Sequence, residues 1–132
     1  MEPPGVELLI AARADAVVPA LVVGLGGVRA EALDDIAIVP LPADADRVET
    51  AIRSLRGAPA LAGERGREPV DLRSAAALAA EAGRVLLDQG LDLLELNPVV
   101  VHRDGCVALD AVGRRATRRE GAAARREAPL TL

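Results

Sequence analysis

Residues 91–111, LDLLELNPVVVHRDGCVALDA, contain the pattern that decides the fold. Apolar residues dominate 91–96, 99–102 and 106–111, and the dipeptide Asp104-Gly105 separates the last run from the others. Asp-Gly between alternating apolar runs is a strong signal for a β-hairpin. We therefore expect two strands here, with the second returning antiparallel along the first.

Three polar side chains interrupt this hairpin. Glu95 and Asn97 are two residues apart on a predicted strand and so point to the same face. The returning strand would bring Asp110 near Asn97, and the two carboxylates and the amide are the oxygen ligands that Mg²⁺ prefers. The alternative is that these are ordinary solvent-facing residues at strand ends, because short acidic motifs recur by chance.

The rest of the chain alternates short apolar runs with two helical patterns. Strands are predicted at 6–12, 20–23 and 36–39, and a long loop at 57–70. A helix over about 45–56 has Asp44 as its predicted N-cap. A second helix begins at Asp71 or Ser74 and ends near Gln89, with Gly90 as its C-cap. This order predicts an α+β fold, with two main helices packed on a mostly antiparallel sheet.

Composition narrows the class of protein. The chain has 132 residues, a length typical of one domain, and 51% of them are hydrophobic, although Phe, Tyr and Trp are absent. The net charge of −4 argues against a general nucleic-acid-binding protein. No signal peptide or membrane-spanning run is evident. A cytoplasmic protein with no nucleic-acid or membrane partner is expected.

The character of the sequence changes after Gly113. Residues 114–132 are rich in arginine and lack an apolar period. We expect a domain over residues 1–113, followed by an Arg-rich disordered tail over 114–132.

The ordered set GVELLIAARAD, VVGLGGV, RGAPALAGERGREPVDL, LELNP and VALDA resembles the C-terminal lobe of the ATP-grasp domain of ADP-forming acyl-CoA (acetate–CoA) synthetases. The β-subunits of succinyl-CoA synthetases are more distant relatives of the same family. The resemblance covers about residues 5–112 in the family's order and spacing. It implies a ligase that binds ATP or ADP with Mg²⁺ and transfers phosphate between a phosphohistidine and the nucleotide.

The resemblance also implies roles for individual residues. Asn97 and Asp110 match the residues that hold the Mg²⁺ of the nucleotide. Glu95 matches an acidic residue near which the phosphohistidine segment docks, and a catalytic role in phosphoryl transfer is expected for it. Gly24, Gly26 and Gly27 match glycines of the family and are expected to bind the cofactor. A tight bend after a strand explains these glycines at least as well.

His102 and Cys106 are residue types that often act in catalysis, but here we expect a structural role for each. His102 lies beside the hairpin turn, away from the segments that carry the family's phosphorylated histidines, and is expected at the surface. Cys106 is expected to be a small core residue rather than a nucleophile.

The sequence also departs from the family. It contains no lysine, whereas the N-terminal lobe of an ATP-grasp domain supplies a lysine for the phosphates. The expected partner is therefore a separate chain carrying that lobe together with the CoA-binding and ligase domains. Without this partner the chain is expected to be inactive as an acid–CoA ligase. The alternative function is a non-catalytic remnant of such an enzyme that acts as a binding or assembly module.

Overall fold

The computed structural model describes residues 5–15, 17–25, 35–61, 63, 69–116 and 127–129. The helices are α1 (Ala45–Arg53) and α2 (Leu72–Gln89), with a short 3-10 turn at Ala58–Ala60. The strands are β1 (Val6–Arg13), β2 (Ala20–Leu25), β3 (Ile36–Pro40), β4 (Leu91–His102), β5 (Gly105–Ala108), β6 (Ala111–Arg115) and β7 (Glu127–Pro129).

The described strands form one sheet in the order β3-β2-β1-β4-β6-β7, with β5 paired to the second half of β4. Every pair in this sheet is antiparallel. The two helices pack on one side of the sheet. The predicted α+β class is confirmed. No helix in the described part of the chain is both long enough and apolar enough to cross a bilayer.

Capping residues fix both helices at the predicted places. The Asp44 side chain accepts the backbone N–H of Arg47 at 2.9 Å and begins α1. The side chain of Asp71 caps α2, and Gly90 ends that helix in the left-handed conformation, with φ 65°. Helix α1 is shorter than the predicted 45–56, but Leu55 beyond its end is still 4% exposed and packs in the core.

The core lies between the helices and one face of the sheet. It is aliphatic throughout, as the absence of aromatic residues requires. Leu8 and Ile10 of β1, Leu94 and Leu96 of β4, and Leu86 of α2 are fully buried. Alternate residues of a strand point to opposite faces of the sheet. The strand residues next to these buried ones therefore lie on the face away from the helices, which we call the open face.

The returning arm of the hairpin differs from the prediction. A single strand was expected at 106–111, but the structure breaks it between β5 and β6, at Leu109 and Asp110. Opposite this break, Leu9 of β1 faces two residues of β4, Asn97 and Pro98, which forms a β-bulge. The bulge changes which residues of β4 face the core, from Leu94 and Leu96 before it to Val99 and Val101 after it.

The sheet extends into the predicted tail at two places. Arg114 and Arg115 belong to β6, so the sheet continues beyond residue 113. Glu127–Pro129 forms β7, which pairs with β6. Two arginines that the sequence assigned to a disordered tail are therefore part of the sheet.

Candidate functional site

Asn97 and Asp110 face each other across the hairpin. Leu96 pairs with Ala111 on one side of them and Val99 pairs with Ala108 on the other, so the same register runs through the break. The backbone N–H of Asn97 donates to the Asp110 carbonyl at 3.1 Å. The structure thus brings these two predicted site residues together at the β-bulge.

Both side chains of this pair are exposed. Asp110 Oδ1 accepts the backbone N–H of Ala111 at 2.9 Å, which holds the carboxylate in one orientation. Its other oxygen makes no hydrogen bond to the described residues. One carboxylate oxygen and one amide oxygen can therefore reach a ligand without breaking a protein contact.

The donor set of this pair suits Mg²⁺, which commonly takes only one or two protein oxygens and completes its shell with water and phosphate. Within the described residues there is no cluster of three or more His, Cys, Asp or Glu side chains that could hold a metal on their own. Asn97 and Asp110 together fit a cation that arrives with a phosphate ligand rather than a fully protein-bound metal.

Glu95 lies on the open face, two residue pairs along the ladder from this site. It pairs with Ala11 of β1 and with Val112 of β6, and its side chain is half-buried. It makes no hydrogen bond or ion pair with the described residues. Its charge contributes to raising the pKa of Arg13, after the larger effect of Asp15. The Glu95 carboxylate is thus available on the same face as Asn97.

Sequence reasoning missed a group of charged side chains beside Glu95. Arg13 donates two hydrogen bonds to Asp15, from Nε at 3.1 Å and from Nη2 at 2.8 Å. Arg114 of β6 lies 3.5 Å from the same carboxylate. The hydrogen bonds from Arg13 lower the pKa of Asp15. Arg13 and Arg114 both stand opposite Leu93, so Asp15 links β1 to β6 across β4.

The sequence contains Arg13, Asp15 and Arg114 in patterns that do not by themselves indicate a cluster. Arg13 and Asp15 follow an apolar strand as an ordinary turn would, and Arg114 begins an arginine-rich stretch. Only the pairing of β4 with both β1 and β6 brings the three residues together.

The predicted glycine site is described only at Gly24. This residue lies in β2, and an added Cβ would approach Ile36 Cγ2 at 3.0 Å and the Asp35 carbonyl at 3.2 Å. Close packing against β3 is a sufficient reason for glycine there. Gly26 and Gly27 lie outside the described residues.

His102 is not the surface residue that the sequence predicted. Its side chain is half-buried, and Nδ1 is buried with no hydrogen-bond partner among the described residues. Cys106 packs against the core, and burial raises the pKa of its thiol. The expectation that Cys106 is a core residue rather than a nucleophile agrees with both observations.

A family model described as an ATP-grasp domain matches residues 1–113. A trans-feruloyl-CoA synthase from an unknown prokaryotic organism is 35% identical over 112 residues, which are 82% of this chain and 16% of that protein. The β-subunit of an ADP-forming acetate–CoA ligase (form II) of Pyrococcus furiosus is 31% identical over 113 residues, which are 82% of this chain and 48% of the subunit.

The fold is also similar to solved structures. The dinucleotide-forming acetyl-coenzyme A synthetase 1 of Ca. Korarchaeum cryptofilum, in complex with coenzyme A and Mg-AMPPCP, superposes with a TM-score of 0.76. It is 33% identical, and the match covers 84% of this chain and 53% of that one.

The chain spans half or less of the length of the curated relatives described above. The match to the family model nevertheless covers most of the chain, and the similarity in sequence and in fold points to the same group of enzymes. The chain belongs to the ATP-grasp family and is related to the ADP-forming acyl-CoA synthetases.

Proposed function

We propose that this chain is the C-terminal lobe of the ATP-grasp unit of an ADP-forming acyl-CoA synthetase. Its part in the reaction is to hold the Mg²⁺–nucleotide phosphates while phosphate passes between a phosphohistidine and ADP. The whole reaction would be acyl-CoA, ADP and phosphate giving the acid, ATP and CoA, in either direction. The observation that carries this proposal is the pairing of Asn97 with Asp110 at the β-bulge.

The exposed oxygens of Asn97 and Asp110 are suited to bind the cation that accompanies the phosphates. The hydrogen bond from the Asn97 N–H to the Asp110 carbonyl holds the backbone of both residues, so little backbone order has to be gained on binding. When bound, Mg²⁺ supplies charge neutralisation for the phosphoryl group. The protein's contribution is to fix two ligands in position on a rigid sheet.

Glu95 is proposed to act beside this pair rather than as part of it. Its half-buried carboxylate lies on the same face of β4 as Asn97, with the positive charge of Arg13 nearby. A carboxylate there can accept a hydrogen bond from an imidazole N–H and so orient a phosphohistidine for transfer. Gly24, Gly26 and Gly27 are proposed as backbone donors to the phosphates.

The open face requires a second lobe for this function. An ATP-grasp unit holds its nucleotide between two lobes, and the helices cover only the other face of this sheet. We propose that a separate chain supplies the N-terminal lobe and the CoA-binding and ligase domains. The solved relative with Mg-AMPPCP has a phosphohistidine segment pointing towards its nucleotide-binding site, which supports the proposed transfer. The alternative, a non-catalytic binding or assembly module, is not favoured by these similarities.

The test is titration calorimetry with ADP, with and without Mg²⁺, on the full chain alone and mixed with a chain carrying the missing lobe. We expect Mg²⁺-dependent binding in the mixture. The double variant Asn97→Ala/Asp110→Ala should weaken it by at least roughly tenfold, the lower end of what losing even an outer-shell metal partner costs.

Asp104→Asn is the matched control, because Asp104 is an exposed carboxylate at the other end of the same hairpin. It should leave the affinity unchanged. Binding that the double variant does not alter, or no Mg²⁺-dependent binding in either setting, would falsify the proposal.

A further inference from the structure

β7 lies beyond the residues that match the ATP-grasp family model. The family match ends at residue 113, whereas β7 comprises Glu127–Pro129. β7 forms three residue pairs with the outer edge of β6: Val112 with Pro129, Gly113 with Ala128, and Arg114 with Glu127. The inner edge of β6 is already paired with β4. A segment beyond the family match therefore covers the outer edge of β6.

The composition of β7 suits a strand that ends a sheet. An open edge presents unpaired N–H and C=O groups to which another strand can add. Pro129 has no backbone N–H to donate, and proline in sheets is confined largely to edge strands. β7 thus covers β6 while offering a poor template for a further strand.

The backbone register sets two residues of opposite charge, Arg114 and Glu127, across from each other. The Arg114 side chain is only 16% exposed, and its Nε is buried with no hydrogen-bond partner among the described residues. The ladder places Glu127 directly opposite it, and oppositely charged cross-strand pairs are favourable. A slip by one residue would place Ala128 there and turn every residue of β7 to the other face.

The docking is short enough to be reversible. Three residue pairs are fewer than most strands in sheets make, and the least contacted elements of a fold open at low free-energy cost. We propose that the outer edge of β6 is a strand-acceptor site. Its occupant is the chain's own Glu127–Pro129, which docks reversibly and excludes other strands.

The first test separates the acceptor from its occupant. A chain ending at Ala116 should expose the β6 edge, so that those amides of residues 111–115 that point away from β4 exchange with deuterium about tenfold faster or more. A peptide of residues 122–132 added in trans should restore their protection and shift the same amide signals in NMR. The same peptide with Glu127→Arg should bind several-fold more weakly, and a scrambled peptide should not bind.

A second test keeps the full chain and so does not depend on the truncated chain folding. Glu127→Arg should accelerate exchange in β6, whereas Glu120→Arg makes the same charge change outside the strand and should not. Core amides of β2 serve as the internal reference. Light scattering should find the full chain monomeric in both cases.

Three results would overturn the proposal. The first is exchange in β6 that is unaffected both by truncation and by Glu127→Arg. The second is a folded truncated chain that does not bind the peptide. The third is a dimer of the full chain formed by exchange of residues 127–129, which would make a second copy the occupant.

Discussion

Asp71 holds the first turn of α2 with both of its carboxylate oxygens. Oδ1 accepts the backbone N–H of Ser74 at 3.0 Å and Oδ2 accepts the Ser74 hydroxyl at 2.7 Å. Asp71→Ala should therefore lower the free energy of unfolding by about 1 kcal/mol at neutral pH, the usual value of an N-cap. The measurement is urea denaturation followed by far-UV circular dichroism, because the chain has no aromatic residue.

This contribution should depend on pH. The hydrogen bonds from Ser74 hold the pKa of Asp71 below its ordinary value of 3.8. A carboxylate whose pKa is lower in the folded state stabilises fully above the unfolded pKa and loses that contribution as pH falls through the folded value. The difference between the wild-type chain and Asp71→Ala should thus shrink below about pH 4.

Asp71→Asn is the control for charge. Asparagine is also a good N-cap, so the variant should keep much of the stability at pH 7 but lose the acid-range dependence. A difference between wild type and Asp71→Ala that stayed constant from pH 7 to pH 3 would contradict this explanation.

Individual residues show which features the sequence could predict and which it could not. Asp44 and Gly90 were predictable as caps, because local backbone geometry selects those residue types. The surroundings of His102 were not, because Gly5, which is far from it in the sequence, lies close to its ring. The sequence predicts local features such as helix caps, but it does not predict contacts between residues that are distant in the chain.

At the scale of elements, Gly90 controls how α2 leads into β4. Its φ of 65° belongs to the left-handed region, and an added Cβ would meet no atom within 4 Å. Gly90→Ala should therefore cost about 1–2 kcal/mol through backbone conformation alone. Thermal unfolding followed by circular dichroism measures the effect.

Gly90→Asn tests that reason directly. Asparagine enters the left-handed region more readily than alanine, so the loss should be smaller than for Gly90→Ala. Equal losses in the two variants would mean that steric contact, and not φ, sets the cost.

The hairpin shows why element boundaries were only partly predictable. Asp104-Gly105 correctly indicated the turn, and the two arms pair as expected. The break at Leu109 and Asp110 was missed because these residues continue the apolar pattern closely enough to suggest one strand. The break becomes evident only where β1 makes its bulge against β4.

The whole molecule is a two-layer arrangement whose helices cover one face of the sheet. Ile38 and Val39 are neighbours on β3, but Ile38 is 63% exposed on the open face and Val39 is 3% exposed in the core. Val39→Thr should cost about 1–3 kcal/mol, because it buries a hydroxyl. Ile38→Thr should stay within about 0.5 kcal/mol of wild type.

The two variants make similar changes on one strand and act as controls for each other. Urea denaturation at a single pH measures both free energies of unfolding. Similar losses in the two variants would mean that both faces of β3 are covered in solution, for example by self-association, which light scattering would detect.

The sequence by itself determined the class of fold, both helix caps and the Asp-Gly turn, together with the candidate pair Asn97 and Asp110. Each of these depends on short-range rules of backbone geometry and on the alternation of apolar residues, which neighbouring positions in a sequence display. The ordered motifs added the family, and the similarity of sequence and fold confirmed it.

Tertiary structure alone decided the β-bulge, the linkage of Arg13 and Arg114 through Asp15, and the pairing of β7 with β6. The physical reason is that an interior strand has two neighbours. β4 pairs with β1 on one edge and with β5 and β6 on the other, and these partners are far apart in the chain. No local pattern encodes which side chains such a strand brings together.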